Sequence, residues 1–382
     1  MYGPRGKPAI SPGFADLDLR FNLSHSEDMR GSAAVSIDFR PTTQCDAAEL
    51  ADFLRRVFQL RAGAMLLDEK HMGWKYWTAR PDWEGPRSFI ALQHGAIVAH
   101  AALWPVRVRV AGQEVTAVHP IDWAADRKHG GVGTWLLPRI SAKLRANVRM
   151  MIATGGSEIA RRILPAIGFR PHSELCEFAR PVRPLRQALT MAERNWKLPA
   201  RFLRNTFWRL SHPLYLPRGW SARPLAPEEV PDGLWPQPSP ATAVTARGTG
   251  FYRYFVDSPS APHVLFGLQK GRELAGYFSL AFPPHSARIA DLWLPSTNLE
   301  DWCAGFRTAA VLAAGEKGVN EVSAWASTAL GKEALARAGF LRSRSAVSLF
   351  GDTKILEGRE LHLQMVDSDA SFLSEEDVYY LT

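Results

Sequence analysis

Apolar and polar positions along the first half of the chain predict a strand, a tight glycine turn and a helix. Residues 115–125 form an almost unbroken apolar run, which reads as a strand buried on both faces. Lys128-His129-Gly130-Gly131-Val132-Gly133-Thr134 follows, and an amphipathic helix is predicted over roughly 134–146. A short apolar strand over 149–154 and a helix over 157–167, closed by Gly168-Phe169, come next. The pattern then recurs. Trp74-Lys75-Tyr76-Trp77 stands a short loop before Ser88-Phe89-Ile90-Ala91-Leu92-Gln93, as Tyr252-Arg253-Tyr254-Phe255 stands before Val264-Leu265-Phe266-Gly267-Leu268-Gln269. Beyond a turn, Ile97-Val98-Ala99-His100-Ala101-Ala102-Leu103 matches Leu274-Ala275-Gly276-Tyr277-Phe278-Ser279-Leu280. Phe39-Arg40-Pro41 matches Ala222-Arg223-Pro224, and Ala166-Ile167-Gly168-Phe169-Arg170 matches Ala338-Gly339-Phe340-Leu341-Arg342. A repeat this long is a duplicated domain rather than a solenoid unit.

Strand, glycine loop and helix together aim free backbone amides and the positive end of a helix dipole at one point, which suits phosphate. Gly131 and Gly133 remove side chains where an anion would approach the backbone. In this setting Lys128-x-x-Gly131-x-Gly133, followed by Thr134-x-Leu136-Leu137, resembles motif A of the GNAT superfamily of acyl-CoA N-acyltransferases. There the pattern is Arg/Gln-x-x-Gly-x-Gly/Ala and cradles the coenzyme A pyrophosphate; Lys128 replaces the usual first residue. Other matches fall in the family's order: a first strand at 37–41 and helix at 46–57, then a hairpin at 89–103 turning on His94-Gly95. The resemblance covers residues 35–180. It implies a mixed α/β fold, with a mostly antiparallel sheet flanked by helices. It also implies that Trp123, Ala124, Lys128, His129, Gly130, Gly131, Val132, Gly133, Thr134 and Ser157 hold acetyl-CoA or another acyl-CoA, with no metal.

With the repeat, the organisation expected is two tandem GNAT-like domains at 35–180 and 219–352. A loose arm at 1–34, rich in Gly, Pro and Ser, precedes them; a linker at 181–218 joins them; and a tail follows at 353–382. The second copy keeps a plausible fourth strand, 287–294, but continues Pro295-Ser296-Thr297-Asn298-Leu299-Glu300-Asp301 without a glycine pair. Its two acids would repel phosphate, so only the first copy is expected to bind the donor. Residues 180–218 hold nine Arg and Lys against the single acid Glu193, a net +8 that equals the whole chain's formal charge. Leu185, Leu189, Trp196, Leu203, Phe207 and Leu210 are interleaved among them. Such a segment reads as a linker packed between domains, as a membrane-surface helix, or as a docking site for an acidic acyl carrier protein. No RNP, zinc-finger or helix-turn-helix pattern supports specific nucleic-acid binding.

Three widely spaced cysteines, Cys45, Cys176 and Cys303, imply neither a disulfide framework nor a metal site, and point to a reduced, cytoplasmic protein. For the chemistry, the resemblance implies direct attack of a small-molecule amine on a thioester, helped by a backbone amide of a splayed fourth strand and by a base. His119 and Asp122 are the base candidates, with Glu114 further back on the strand. Pro120 suggests a bulge that would bring His119 and Asp122 together and free the amides of Asp122, Trp123 or Ala124. The family's thiolate-protonating tyrosine is replaced by Leu164, and by Leu335 in the second copy; Tyr76 is the remaining hydroxyl nearby. Pro138 should kink the helix after the glycine loop. Five tryptophans, Trp74, Trp77, Trp83, Trp104 and Trp123, suggest either an apolar acceptor cleft or core packing. Two other readings fit parts of the pattern. One is a Fem-like aminoacyl-tRNA-dependent transferase, suggested by the tandem domains and basic linker. The other is a non-catalytic acyl-CoA-binding protein, suggested by the absent tyrosine.

Overall fold

Turn chemistry sets the register of the first sheet. The computed structural model describes residues 37–382 except 130, 155–157, 192–195, 351–353 and 373–379; the expected arm at 1–34 lies outside the described residues. The first copy runs β1 (Ile37–Pro41), α1 (Ala47–Phe58), α2 (Glu69–Met72), β2 (Ser88–Gln93), β3 (Ala96–Val110), β4 (Gln113–Ala125), α3 (Val132–Leu144), β5 (Met150–Thr154), α4 (Glu158–Ala166) and β6 (Arg170–Pro181). The linker carries α5 (Pro184–Thr190) and α6 (Leu198–Ser211). The second copy runs β7 (Trp220–Pro224), β8 (Thr242–Thr245), α7 (Thr249–Val256), β9 (His263–Lys270), β10 (Glu273–Ala281), β11 (Ser286–Trp293), α8 (Leu299–Gly315), β12 (Glu321–Ala326), α9 (Ala329–Arg337) and β13 (Leu341–Phe350), and β14 (Glu360–His362) follows. His94 and Gly95, at φ of 51° and 81°, form the two-residue left-handed turn that matches the twist of β2 and β3. The β3–β4 hairpin is longer than the sequence suggested. Trp104 to Val110 continue β3 past Leu103 before a turn at Ala111-Gly112.

The architecture is mixed α/β, with two mixed sheets flanked by helices. Each is antiparallel as far as its fourth strand and then parallel: β4 with β5, and β11 with β12. The last strands are exchanged, which the repeat alone does not reveal. β13 inserts between β5 and β6, pairing Ser348 with Thr154, while β6 lies against β12, pairing Pro181 with Glu321. The two halves thereby share one continuous sheet, and neither copy leaves an inner edge open.

The described part of residues 353–382, read from the sequence as a tail, packs into the junction. β14 pairs with β8, which in turn pairs with β3. Trp104 donates its indole N–H to the Val366 carbonyl at 3.2 Å. Phe372 meets Trp74 and Trp104 with ring centroids 4.9 and 5.0 Å apart. Trp74 and Trp104 are therefore core residues that join the copies: Trp74 stacks on Tyr254 at 4.8 Å and donates to its carbonyl at 2.9 Å. Pro138 does not end its helix; α3 runs through it, forgoing only the amide that would have met the Thr134 carbonyl.

Candidate active site

β4 and β5 pair at only two positions, Ala117 with Met150 and Val118 with Met151, and then part. The wedge between them is where β4 turns towards α3. One residue beyond the last pair, His119 is buried in this wedge, and its Nε2 accepts from the Thr154 amide at 3.2 Å. Its other ring nitrogen donates to the Asp367 carbonyl, and burial pushes its pKa down to about 4. His119 is thus a neutral imidazole engaged at both nitrogens.

The bulge in β4 falls at Asp122-Trp123 rather than at Pro120, which keeps regular register opposite Leu103. Ala102 faces Ile121 and His100 faces Ala124, so two β4 residues oppose Ala101 alone. Asp122 takes a left-handed φ of 48° to accommodate it. Its carbonyl accepts from His100 Nδ1–H at 2.9 Å, while Ser88 donates to His100 Nε2 at 3.0 Å. The Asp122 carboxylate is 2.6 Å from Lys75 Nζ and accepts from the Tyr76 hydroxyl at 2.8 Å. Burial opposes its ionisation, but the Lys75 charge and these hydrogen bonds outweigh burial and hold its pKa below the usual value. His119 and Asp122 therefore contact different partners, and the bulge does not bring them together.

Asp369 completes this cluster from the packed tail. Its carboxylate lies 3.7 Å from Lys75 Nζ and keeps some exposure, unlike the fully enclosed lysine. Burial, reinforced by the Asp122 charge and resisted by Lys75, pushes its pKa up to about 6. Two carboxylates on one cation are thus driven apart, one firmly ionised and one titrating near neutrality, an arrangement typical of acid–base sites. Sequence reasoning passed over both Lys75 and Asp369. Lys75 had a signal, a lone cation inside an aromatic run; Asp369 had none, because only the strand exchange brings the tail here.

The β4–α3 turn gathers the expected donor residues. Trp123, half-buried, donates its indole N–H to the Gly133 carbonyl at 2.9 Å and ties the start of α3 to the bulged strand. Ala124 and Val132 are buried, His129 and Thr134 half-buried, and Lys128 and Gly131 exposed. Asp126 shapes the turn, accepting from the Lys128 amide at 3.0 Å. The glycines serve different ends. A Cβ on Gly133 would come within 2.8 Å of the Ala125 Cβ, so this glycine permits strand–helix contact. Gly131 caps α3 at φ 83° with open space where a Cβ would stand. No side chain caps α3, and its first turn has no acid. Gly130 and Ser157 lie outside the described residues.

The second copy contrasts at each point. Asn298 caps α8, accepting from the Glu300 amide at 2.9 Å, and Glu300 and Asp301 occupy the first turn. In place of the Lys75 cluster, Arg247 is buried between Asp291 Oδ2 and Asp367 Oδ1, 2.9 Å from each, and Tyr252 donates to Asp291. Leu164, at the family's tyrosine position, is buried in the core. Trp77 and Trp83, with Thr42, Tyr76, Arg80 and Arg87, line a groove of about 290 Å³ beside the Asp122 cluster. Among the described residues, no group of three or more His, Cys, Asp or Glu could hold a metal ion.

Solved structures superpose on this arrangement of two joined halves. A GCN5-related N-acetyltransferase from Anabaena variabilis superposes with TM-score 0.53 at 11% identity, over 85% of this chain and 75% of its own. Saccharomyces cerevisiae N-myristoyltransferase with bound myristoyl-CoA gives 0.55 at 10%, over 85% and 80%. A tandem GNAT protein from the clavulanic acid biosynthesis pathway gives 0.52 at 13%, over 82% of this chain and 98% of its own. The chain has the tandem GNAT fold. At these identities the likeness concerns fold alone. No family model matches the chain. A segment is 31% identical over 87 residues to the 4'-phosphopantetheinyl transferase HetI of a Nostoc species, of which this chain spans 37%.

Proposed function

We propose that this tandem GNAT chain is an acyl-CoA-dependent N-acyltransferase that uses its first copy to hold the donor and acylates a small-molecule amine. The observation that carries the reading is the asymmetry of the two helix starts. α3 begins on an open, left-handed glycine with no cap and no acid, whereas α8 is capped by Asn298 and carries Glu300 and Asp301. A diphosphate has a place at the first and is repelled at the second. The acyl-CoA would supply a thioester already activated for attack. The residues fit that donor: the first-turn amides of α3 and Lys128 would hold its phosphates, and Trp123 fixes the helix start in place.

In this reading Asp369 takes the proton of the attacking ammonium, and Lys75 and Asp122 keep its carboxylate oriented and its pKa near neutrality. Asp122 and His119, the bases expected from the sequence, become positioning groups in the bulge and the wedge. The groove lined by Trp77 and Trp83 would receive the amine. With Leu164 in the core and the Tyr76 hydroxyl engaged as a donor to Asp122, neither position offers a free tyrosine hydroxyl to the departing thiolate. That favours one second reading, acyl-CoA binding without transfer.

Release of free CoA thiol from acetyl-CoA, measured with a panel of amines, separates the two. For transfer, kcat/KM should rise with pH through about 6, where Asp369 loses its proton, and then flatten. Asp369→Asn should lower it by about 100-fold or more while leaving CoA affinity unchanged. An unaltered rate and pH profile in that variant would remove Asp369 from the mechanism. Absence of turnover with every amine, alongside intact CoA binding, would support the binding-only reading.

A further inference from the structure

α6 is attached to the protein by the wrong face for an ordinary surface helix. Its inward side is polar: Asn205, buried, donates to Gln187 at 2.9 Å, and Arg201 donates to the carbonyls of Tyr380 and Thr382. Trp208 adds an indole N–H to the Gly339 carbonyl at 2.9 Å. Its outward side is apolar. Leu203, Phe207 and Leu210 recur at the spacing of one helical face and are 66%, 70% and 75% exposed. Leu185 and Leu189 continue this on α5, and Trp196, between the helices, is 84% exposed. Soluble helices turn their apolar stripe to the core; here two successive helices turn it away.

We propose that this face docks on an anionic lipid surface. Charge selects that occupant: Arg186, Lys197, Arg204 and Arg209, on or next to the two helices, are exposed, and Glu193 is the single acid in the sequence from 180 to 218. A second copy would bring two such basic faces together, against their repulsion. Anionic headgroups neutralise the arginines, while Leu and Phe enter the acyl boundary and Trp196 places its amphipathic ring at headgroup level. The topology supports a purpose. Ser348 pairs with both Thr154 and Ser173, and from there β6 runs to Pro181, about 26 Å of strand, in the direction in which the first wedge opens. Docking on this face presents the proposed donor site towards the lipid side, although the docking itself does not depend on the transfer reaction.

Co-sedimentation of the full chain with vesicles tests it, using phosphatidylglycerol mixed into phosphatidylcholine against phosphatidylcholine alone. Binding is expected to the anionic vesicles and to be at least roughly tenfold weaker on the neutral ones and in high salt. The combined variant L203S, F207S, L210S should lose at least about tenfold in binding with an unchanged Tm, since these side chains are already exposed. Arg204→Gln with Arg209→Gln should weaken binding to anionic vesicles alone. Failure to bind anionic vesicles, or equal binding by the serine variant, overturns the proposal. So does a wild-type dimer that the serine variant dissociates, or capture of an acidic acyl carrier protein through the same stripe in place of vesicles.

Discussion

Arg247→Met is expected to destabilise the chain by about 3–5 kcal/mol, the range for removing one partner from a buried ion cluster. The Arg247 guanidinium joins Asp291 on β11 to Asp367 in the packed tail, and all three side chains are almost fully enclosed. Thr245 adds a hydrogen bond to Asp367 at 3.2 Å. Without the cation, two carboxylates stay buried with only neutral donors. Burial already pushes the Asp367 pKa up, and without Arg247 it would rise further. The loss should therefore be smaller at pH 5 than at pH 7, because protonation relieves the stranded charge. Adding Asp367→Asn should recover part of the loss. Denaturant midpoints of the three proteins at both pH values measure this. A loss below about 1 kcal/mol for Arg247→Met would show that the cluster does not hold the tail in place.

A steep loss of stability is expected as pH falls below about 6. Burial pushes His71, His100, His119 and His362 to about 4 and His263 to about 3. Their folded pKa values lie below the unfolded value, so the unfolded chain takes up protons first. The stability these groups contribute is complete above about 6.5 and is lost as pH falls towards 4. Each histidine amounts to about 3 kcal/mol over that window. Asp369, Asp367 and Glu321, whose pKa values are raised chiefly by burial, act oppositely, since the folded chain takes up their protons first. Five groups against three leaves a slope of at least about 3 kcal/mol per pH unit, enough to exhaust an ordinary folding stability within a few units. Thermal unfolding between pH 4 and 8 checks this; a Tm independent of pH from 6 down to 4.5 would mean that these histidines are solvated.

The local architecture was legible where periodicity and turn chemistry act over short distances. The β4–glycine turn–α3 unit and the His94-Gly95 hairpin follow from patterns within a few dozen residues, and the duplication from the recurrence of such patterns in the second half of the chain. The strand exchange was not legible, because β6 and β13 have the same pattern whichever neighbour they choose. The site divides in the same way. The turn proposed to hold the donor is contiguous, so its residues stand together in the sequence, and the acids after β11 mark the second copy as different. The Lys75–Asp122–Asp369 cluster combines a π-helical turn, a bulge and a tail nearly 300 residues apart in sequence. Pro120 marked the right strand for a bulge but the wrong residues, since the extra residue settled at Asp122, a residue type that tolerates a left-handed backbone and whose carboxylate is held by Lys75 and Tyr76. The tryptophans divided too: Trp74 and Trp104 entered the core, while Trp77 and Trp83 line the groove.

Isothermal titration of the full chain with coenzyme A bears most directly on the donor site of the first copy. One site per chain is expected. Gly131→Asp should abolish binding without unfolding the protein: the left-handed φ of 83° strains an aspartate less than most residues and its Cβ meets no neighbour within 4 Å, yet it places a negative charge where the phosphates must lie. Asn298→Ala, at the start of α8, should leave the titration unchanged. Two equivalent sites, or full affinity in Gly131→Asp, would contradict the account.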